Sequence, residues 1–364
     1  MDEWLGIAQS NLSVGARELA CRVTLGGLSF KKASVALGRL AQIRVGHEWL
    51  RRIAEAEGRG VKEAVRTGVV GPGWEASDCR VTPKGPTRVI VGCDGVMVPV
   101  VTAAEKRKRC QRRPRRRKVR RRRVKAKGVG RLKTGRRRCH RGSDTGYKEF
   151  KIVAFYDAGS EHQYALGTAG NCQVLGRLMR REAAKVKLPE ADEKVAVSDG
   201  AEWIRRQLQT RLPMLDARIL DYFHLMQQVG AAAMVCFGEG SKEASAWCAA
   251  ASEAVCEEGA AGLLVWIHET RRSVRAKTKR EALKQLEQYV TKRAEMLDYP
   301  AFREQGFDIG SGPTEAFCKT LTMRLKGSGM RWDSPNAEAM MTLAALQHSN
   351  LWETYWNHQC RHAA

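Results

Sequence analysis

Three carboxylates stand at positions where acids need a reason. Asp94 interrupts an apolar, β-branched run, TRVIVGCDGVMVPVVTA, that starts at Thr87. A carboxylate inside a buried strand is expensive unless it is paired or binds a cation. Asp-Gly is also a good hairpin turn, so a plain turn is the competing reading. Asp199 closes a second short apolar run, KVAVS (194–198), and precedes Gly200. Glu315 follows a glycine-rich turn, Gly310-Ser311-Gly312, and Pro313, whose fixed φ suits a first helical position. Alone, Glu315 reads equally as a first-turn acid that favours the helix dipole. Three acids brought together could place two Mg²⁺ ions, with Mn²⁺ as a substitute, for phosphodiester chemistry.

The elements that must position these acids follow from periodicity. Tyr147 to Tyr156 and Tyr164 to Thr168 read as strands, and so does Arg218 to Tyr222, which ends in Asp221-Tyr-Phe-His224. Helical spacing falls over 170–187 and 201–212. From Leu225 to about Tyr299 the chain has only helical signals, with breakers expected at Gly238, Gly240 and near Gly259 and Gly262. Trp247 and Trp266 lie within it and read as core aromatics, base stacking being the sharper alternative. After Pro313 an apolar stripe, Phe317, Leu321 and Leu325, runs along one face. Glu315, Lys319, Thr322 and Lys326 fall on another, and Gly327 and Gly329 close the helix. An alanine-rich helix is expected from Asp333 to about Tyr355.

Upstream, helices are predicted over 14–23, 30–40 and 47–57. The last two, joined by a short turn at 41–46, have the shape of a helix-turn-helix bearing Arg51 and Arg52, or of a plain helical hairpin. Gly and Pro punctuate 59–87, which reads as a linker. The domain expectation is therefore a helical DNA-binding region at 1–58, a linker at 59–87, an α/β core at 88–224, a helical insertion at 225–299, and the final core helices at 300–364.

The 364 residues carry 64 Lys and Arg against 39 Asp and Glu, a net charge of +25. The stretch from Lys106 to Arg141 holds 22 basic residues and no acid, leaving +3 for the remainder. This insert, including Arg115, Arg116, Arg117, Arg121 and Arg122, would attract phosphate backbones without reading sequence. No amphipathic apolar face accompanies it, which argues against a membrane surface. The N-terminus lacks the pattern of a signal peptide, and no apolar run approaches a membrane span. Eleven scattered cysteines without a Cys-x-x-Cys pair suit a reduced cytosol.

The blocks VGCDGVMVPV, VSDGAEWI, LDYFH and FREQGFDIGSGPTEAFCKTLTMRLKGSGMRW together resemble those of bacterial insertion-sequence DDE transposases of the Kra type, which are similar to the Mutator-like superfamily. The resemblance covers roughly 88–356, and the last block is its most specific part. It implies a ribonuclease-H-like α/β core with an all-helical insertion between the second Asp and the Glu. It also implies a DNA-binding N-terminal region and Mg²⁺-dependent cleavage and strand transfer. By motif it assigns Asp94, Asp199 and Glu315 as the catalytic, metal-binding triad, with Asp221 and His224 as accessory residues. Lys319, Arg324, Lys326, Arg331 and Trp332 are the expected contacts to the DNA end. A homo-oligomer on DNA, in the bacterial cytoplasm at the nucleoid, is the expected setting. Pro313-Thr314 stand where that family has a small apolar pair. Two alternatives remain: a catalytically inactive or truncated DNA-binding relative, and a ribonuclease-H-type nuclease.

Overall fold

The computed structural model describes residues 12–27, 29–109 and 142–363. Most of the basic insert, with Arg115, Arg116, Arg117, Arg121 and Arg122, lies outside them.

The centre is one mixed five-stranded sheet in the order β3-β2-β1-β4-β5. Its strands are β1 (Arg88–Pro99), β2 (Tyr147–Asp157), β3 (Gln163–Thr168), β4 (Glu193–Ser198) and β5 (Ala217–Leu220). β2 runs antiparallel to both β1 and β3, while β4 and β5 run parallel to β1. The central strands are near-continuous apolar runs because both faces of the sheet are covered. The turn alternative at Asp94-Gly95 does not occur. β1 passes straight through both residues, and β2 pairs with it along the full length, Asp94 opposite Ile152.

Helix α4 (Cys172–Lys185) connects β3 to β4, and α5 (Glu202–Arg211) connects β4 to β5. Beyond β5 come α6 (Tyr222–Phe237), α7 (Lys242–Ser273), α8 (Lys277–Thr291) and α9 (Tyr299–Glu304), with no strand among them. The expected break near Gly259 is a kink inside α7. Gly259 has φ 65°, and a Cβ there would meet the Leu297 carbonyl at 2.9 Å, so glycine alone fits both the backbone and the space. Trp247 is buried, donates to Thr270 Oγ1 at 2.8 Å and packs on Phe237 and Trp266, which makes it core.

The chain then returns to the sheet through α10 (Gly312–Met323), α11 (Ser334–His348) and α12 (Trp352–Ala363). The single helix expected over 333–355 is two, because the chain turns at Asn350, whose φ is 55°.

At the N-terminus are α1 (Val14–Leu25), α2 (Phe30–Leu40) and α3 (His47–Thr67). The predicted linker starts too early, since α3 continues ten residues past Glu57. Gly58 and Gly60 act as contact points rather than breakers. A Cβ on Gly58 would lie 2.1 Å from the Ala339 carbonyl of α11, and one on Gly60 would lie 2.9 Å from the Tyr355 hydroxyl. Buried Glu57 pairs with Arg17 at 2.6 Å and accepts from Tyr355 Oη at 3.1 Å. Val14, Cys21, Ala54 and Val61 share one apolar core with the sheet. α1 to α3 also enclose a small core of their own around Leu37 and Leu50. No helix among the described residues is long and apolar enough to cross a membrane.

Candidate metal centre

Three of the five expected acidic and histidine positions are set by neighbouring parallel strands, Asp94 within β1 and Asp199 and Asp221 just past the ends of β4 and β5. The β1–β4 register pairs Cys93 with Ser198, so Asp94 and Asp199 are the next residues along adjacent strands. β5 lies beside β4, with Leu220 opposite Ser198, and this puts Asp221 next in the row. His224 sits one turn into α6, which Asp221 itself caps by accepting from the His224 amide at 2.9 Å.

Glu315 arrives from the other side of the chain. Its helix α10 lies on the sheet at a point where β1 has no side chain. A Cβ on Gly92 would fall 1.8 Å from Thr314 Oγ1. Thr314 is buried and lies 3.3 Å from the Tyr156 hydroxyl of β2. Proline at the first turn and a glycine beneath it therefore let α10 sit close, and Glu315 projects exposed beside the strand ends. The Ser311 side chain makes no capping bond, and among the described residues the Glu315 carboxylate has no hydrogen-bond or ion-pair partner. That leaves a donor free for a ligand.

Asp221, His224 and Glu315 each present a ligand atom, all within 4.8 Å of one another, so this buried-to-exposed group could hold a metal ion. Asp221 is fully buried and already committed. One oxygen accepts from the Ser311 amide at 2.6 Å, and the other lies 3.3 Å from His224 Nδ1. Burial acts to raise its pKa, but the bonds from His224 and Ser311 outweigh burial and bring it to about 2. His224 is pushed up from its ordinary value, first by Asp221 and then by the fields of Asp199 and Asp94.

Asp94 behaves oppositely. Burial raises its pKa and the Asp199 charge adds to this, against the opposing Gly95 amide at 2.5 Å and the Cys318 thiol at 3.4 Å. Like-charged groups held together in a partly desolvated place are what a cation site provides. Asp199 spends one oxygen on the Ala201 amide at 2.8 Å. Its turn is held from the helical segment: Arg293 Nε donates to the Gly200 carbonyl at 3.0 Å, and the Tyr289 hydroxyl lies 3.5 Å from the Asp199 carbonyl. The close three-group set is thus Asp221, His224 and Glu315, with Asp94 and Asp199 as charged neighbours coupled to it through His224.

A cleft of about 510 Å³ opens from Asp94 and Gly95 along α10, lined by Cys318, Lys319, Thr322, Met323 and Lys326. Lys319 and Lys326 are exposed there, whereas Thr322 is buried and bonds back to the Cys318 carbonyl.

Other expected DNA contacts are spent inside the protein. Arg324 is 3% exposed. It donates to the Thr24 carbonyl at 3.0 Å and lies over the rings of Phe30 and Trp332, and burial lowers its pKa to about 10. Trp332 is buried and donates to the Leu325 carbonyl at 3.1 Å. Both belong to the joint between α1–α2 and the segment after α10, because a flat cation and two rings stack well when desolvated. Arg331 is half exposed but ion-paired with Glu105. Arg51 is held by Glu55 and Glu48, while Arg52 is exposed.

Sequence reasoning missed the Cys318 thiol, the Ser311 amide and the Tyr289–Arg293 support. Cys318 was findable, since it stands one helical turn after Glu315. The other two join residues about ninety apart with no local mark.

No protein-family model matches the chain, and no curated protein matches it.

Proposed function

We propose that this protein is a DNA transposase that cuts insertion-sequence ends and joins them to target DNA with divalent metal. The observation that carries the reading is the row of Asp94, Asp199 and Asp221 on adjacent parallel strands, with Asp221, His224 and Glu315 within 4.8 Å of one another beside it. The strand order, with only β2 reversed relative to both neighbours, supports a ribonuclease-H-like core. The helical stretch 222–304, lying between Asp199 and Glu315, supports an insertion of the kind such transposases carry.

The carboxylates of this group are the kind of donor hard cations take, with Asp221, His224 and Glu315 the closest set. Asp94, Asp199 and Glu315 would hold two Mg²⁺ ions, or Mn²⁺ in their place, since such ions bind through one or two carboxylates each and keep waters. When bound, the ions supply an acidified water or 3′-hydroxyl and charge neutralisation at the leaving oxygen. The chain's own residues do the remaining work. Asp221 fixes the strand end against the start of α10 and so sets where Glu315 stands. Asp221, and behind it Asp199 and Asp94, raise the pKa of His224, so its ring is electrostatically coupled to the crowded carboxylates. Lys319 and Lys326 flank the cleft beside Asp94, where they meet phosphates. Two ends must be joined, so the working form is a homo-oligomer on DNA, in the bacterial cytoplasm.

The test is a joining assay on purified protein, with DNA flanking the gene, Mg²⁺, and Asp199→Asn alongside. Cleavage and joining by the wild type alone is the expected outcome. Binding without cleavage under any divalent metal would transfer the reading to an inactive DNA-binding relative. Degradation of an RNA–DNA hybrid without joining would favour a ribonuclease-H-type nuclease.

A further inference from the structure

The helical segment between β5 and α10 is sharply divided in charge. Residues 239–258 hold five acids, Glu239, Glu243, Glu253, Glu257 and Glu258, against the single base Lys242. Residues 271–293 hold nine Lys and Arg against two acids. One of those acids, Glu287, is already held by His268 at 3.0 Å and by Arg271.

The basic half has a regular geometry. Lys277, Arg280, Lys284, Gln288 and Lys292 follow one another at steps of three and four, and every one is exposed. They therefore form one stripe along α8. Among the described residues none of the four cations has an ion-pair partner. Two clefts of about 580 and 660 Å³ lie along this stripe. The second is lined by Tyr289, Lys292 and Arg293, the residues that adjoin the Asp199 turn. From Lys277 to Lys292 the helix rises about 22 Å, the length of about six base-pair steps. No large apolar side chain between 271 and 293 is exposed. A protein partner would want an apolar centre to its interface, whereas a phosphate backbone wants only spaced cations.

We infer that this stripe is a binding track for the backbone of duplex DNA, running from the tip of the α7–α8 hairpin to the Asp199 side of the site. The inference rests on the transposase reading and adds to it the path of the DNA on that side. The track contacts phosphates only, so it holds all sequences alike.

The test uses the full chain and a fluorescein-labelled duplex, with binding measured by anisotropy over a series of KCl concentrations. The variant carries Lys277→Gln, Arg280→Gln, Lys284→Gln and Lys292→Gln together, and Lys242→Gln on the acidic half serves as the control. The expected result is weaker binding of every duplex, with the slope of log K against log[salt] shallower by about 3.6. The control keeps the wild-type slope, and all three proteins melt alike. An unchanged slope in the fourfold variant, with the wild type binding normally, overturns the track and leaves the transposase reading standing. A wild type that binds no duplex overturns both.

Discussion

The carboxylate of Asp221 holds the backbone amide of Ser311 at 2.6 Å, a bond across 90 residues that joins a strand end to the start of the Glu315 helix. Asp221→Asn should weaken it and let Glu315 shift. Loss of a ligand's supporting partner costs about 10- to 100-fold in metal affinity, which Mn²⁺ titration calorimetry would read. Ser311→Ala should change little, because the bond uses the backbone.

The same bond has a pH signature. Asp221 titrates near 2 in the folded protein against about 3.9 in an unfolded chain. Its contribution is present above about pH 4 and is lost as pH falls toward 2. Urea melts should show that acid-side slope in the wild type and a flatter one in Asp221→Asn. Equal slopes would mean that the carboxylate is not held this way.

Gly92→Ala should destabilise by about 1–3 kcal/mol, since the new methyl meets Thr314 Oγ1. Thr314→Ala removes the nearest obstructing atom and leaves only its Cβ, at 2.9 Å, so the double variant should recover part of the loss. Additive losses would show that α10 does not press on β1 there.

Arg324 and Lys326 are two residues apart and should behave as opposites. Arg324→Ala breaks a buried bond to Thr24 and a ring stack, at about 3 kcal/mol of stability. Lys326→Ala should leave stability within about 0.5 kcal/mol. It should lower DNA affinity and make the salt slope shallower by about 1. Thermal melts and salt-dependent anisotropy on the same two proteins separate the roles.

Asp94 must lose its proton to bind a cation, and burial beside Asp199 raises its pKa. Divalent-metal affinity should therefore begin to fall at a higher pH than ordinary carboxylates would give. Asp94→Asn should bind Mn²⁺ weakly at every pH tested by calorimetry. Unchanged Mn²⁺ binding in that variant would remove Asp94 from the site.

What could be read from the residues was what depends on near neighbours. Short apolar or alternating runs marked all five strands, and α2 falls where its spacing put it, Phe30 to Leu40. Asp94 and Asp199 stood out because an acid in or after such a run is costly. Long-range contacts overruled the rest. Gly58 and Gly60 looked like breakers because nothing local shows that Ala339 and Tyr355 will press against them. Arg324 looked like a surface cation because its partners, Thr24 and Phe30, lie about 300 residues upstream. At Asp94-Gly95 a turn competed with a strand because Asp-Gly suits both, and only the pairing of β2 straight across it decides. The central place of Asp221 and His224, over Asp94 and Asp199, depends on where α10 lands.

The helical excursion 222–304 leaves and returns at nearly one point, because the Tyr222 amide donates to the Ile309 carbonyl at 2.9 Å beside the Asp221–Ser311 bond. In polymer terms it is a ring already closed at its base. Doubling the length of such a ring costs only about 0.6 kcal/mol in closure entropy. Residues added or removed at its far tip, between Ser273 and Lys277, therefore leave the carboxylates where they are. The same change between Arg293 and Ser311 pulls on both Asp199 and Glu315. The tip is where this chain has room to vary, and the base is where it has none.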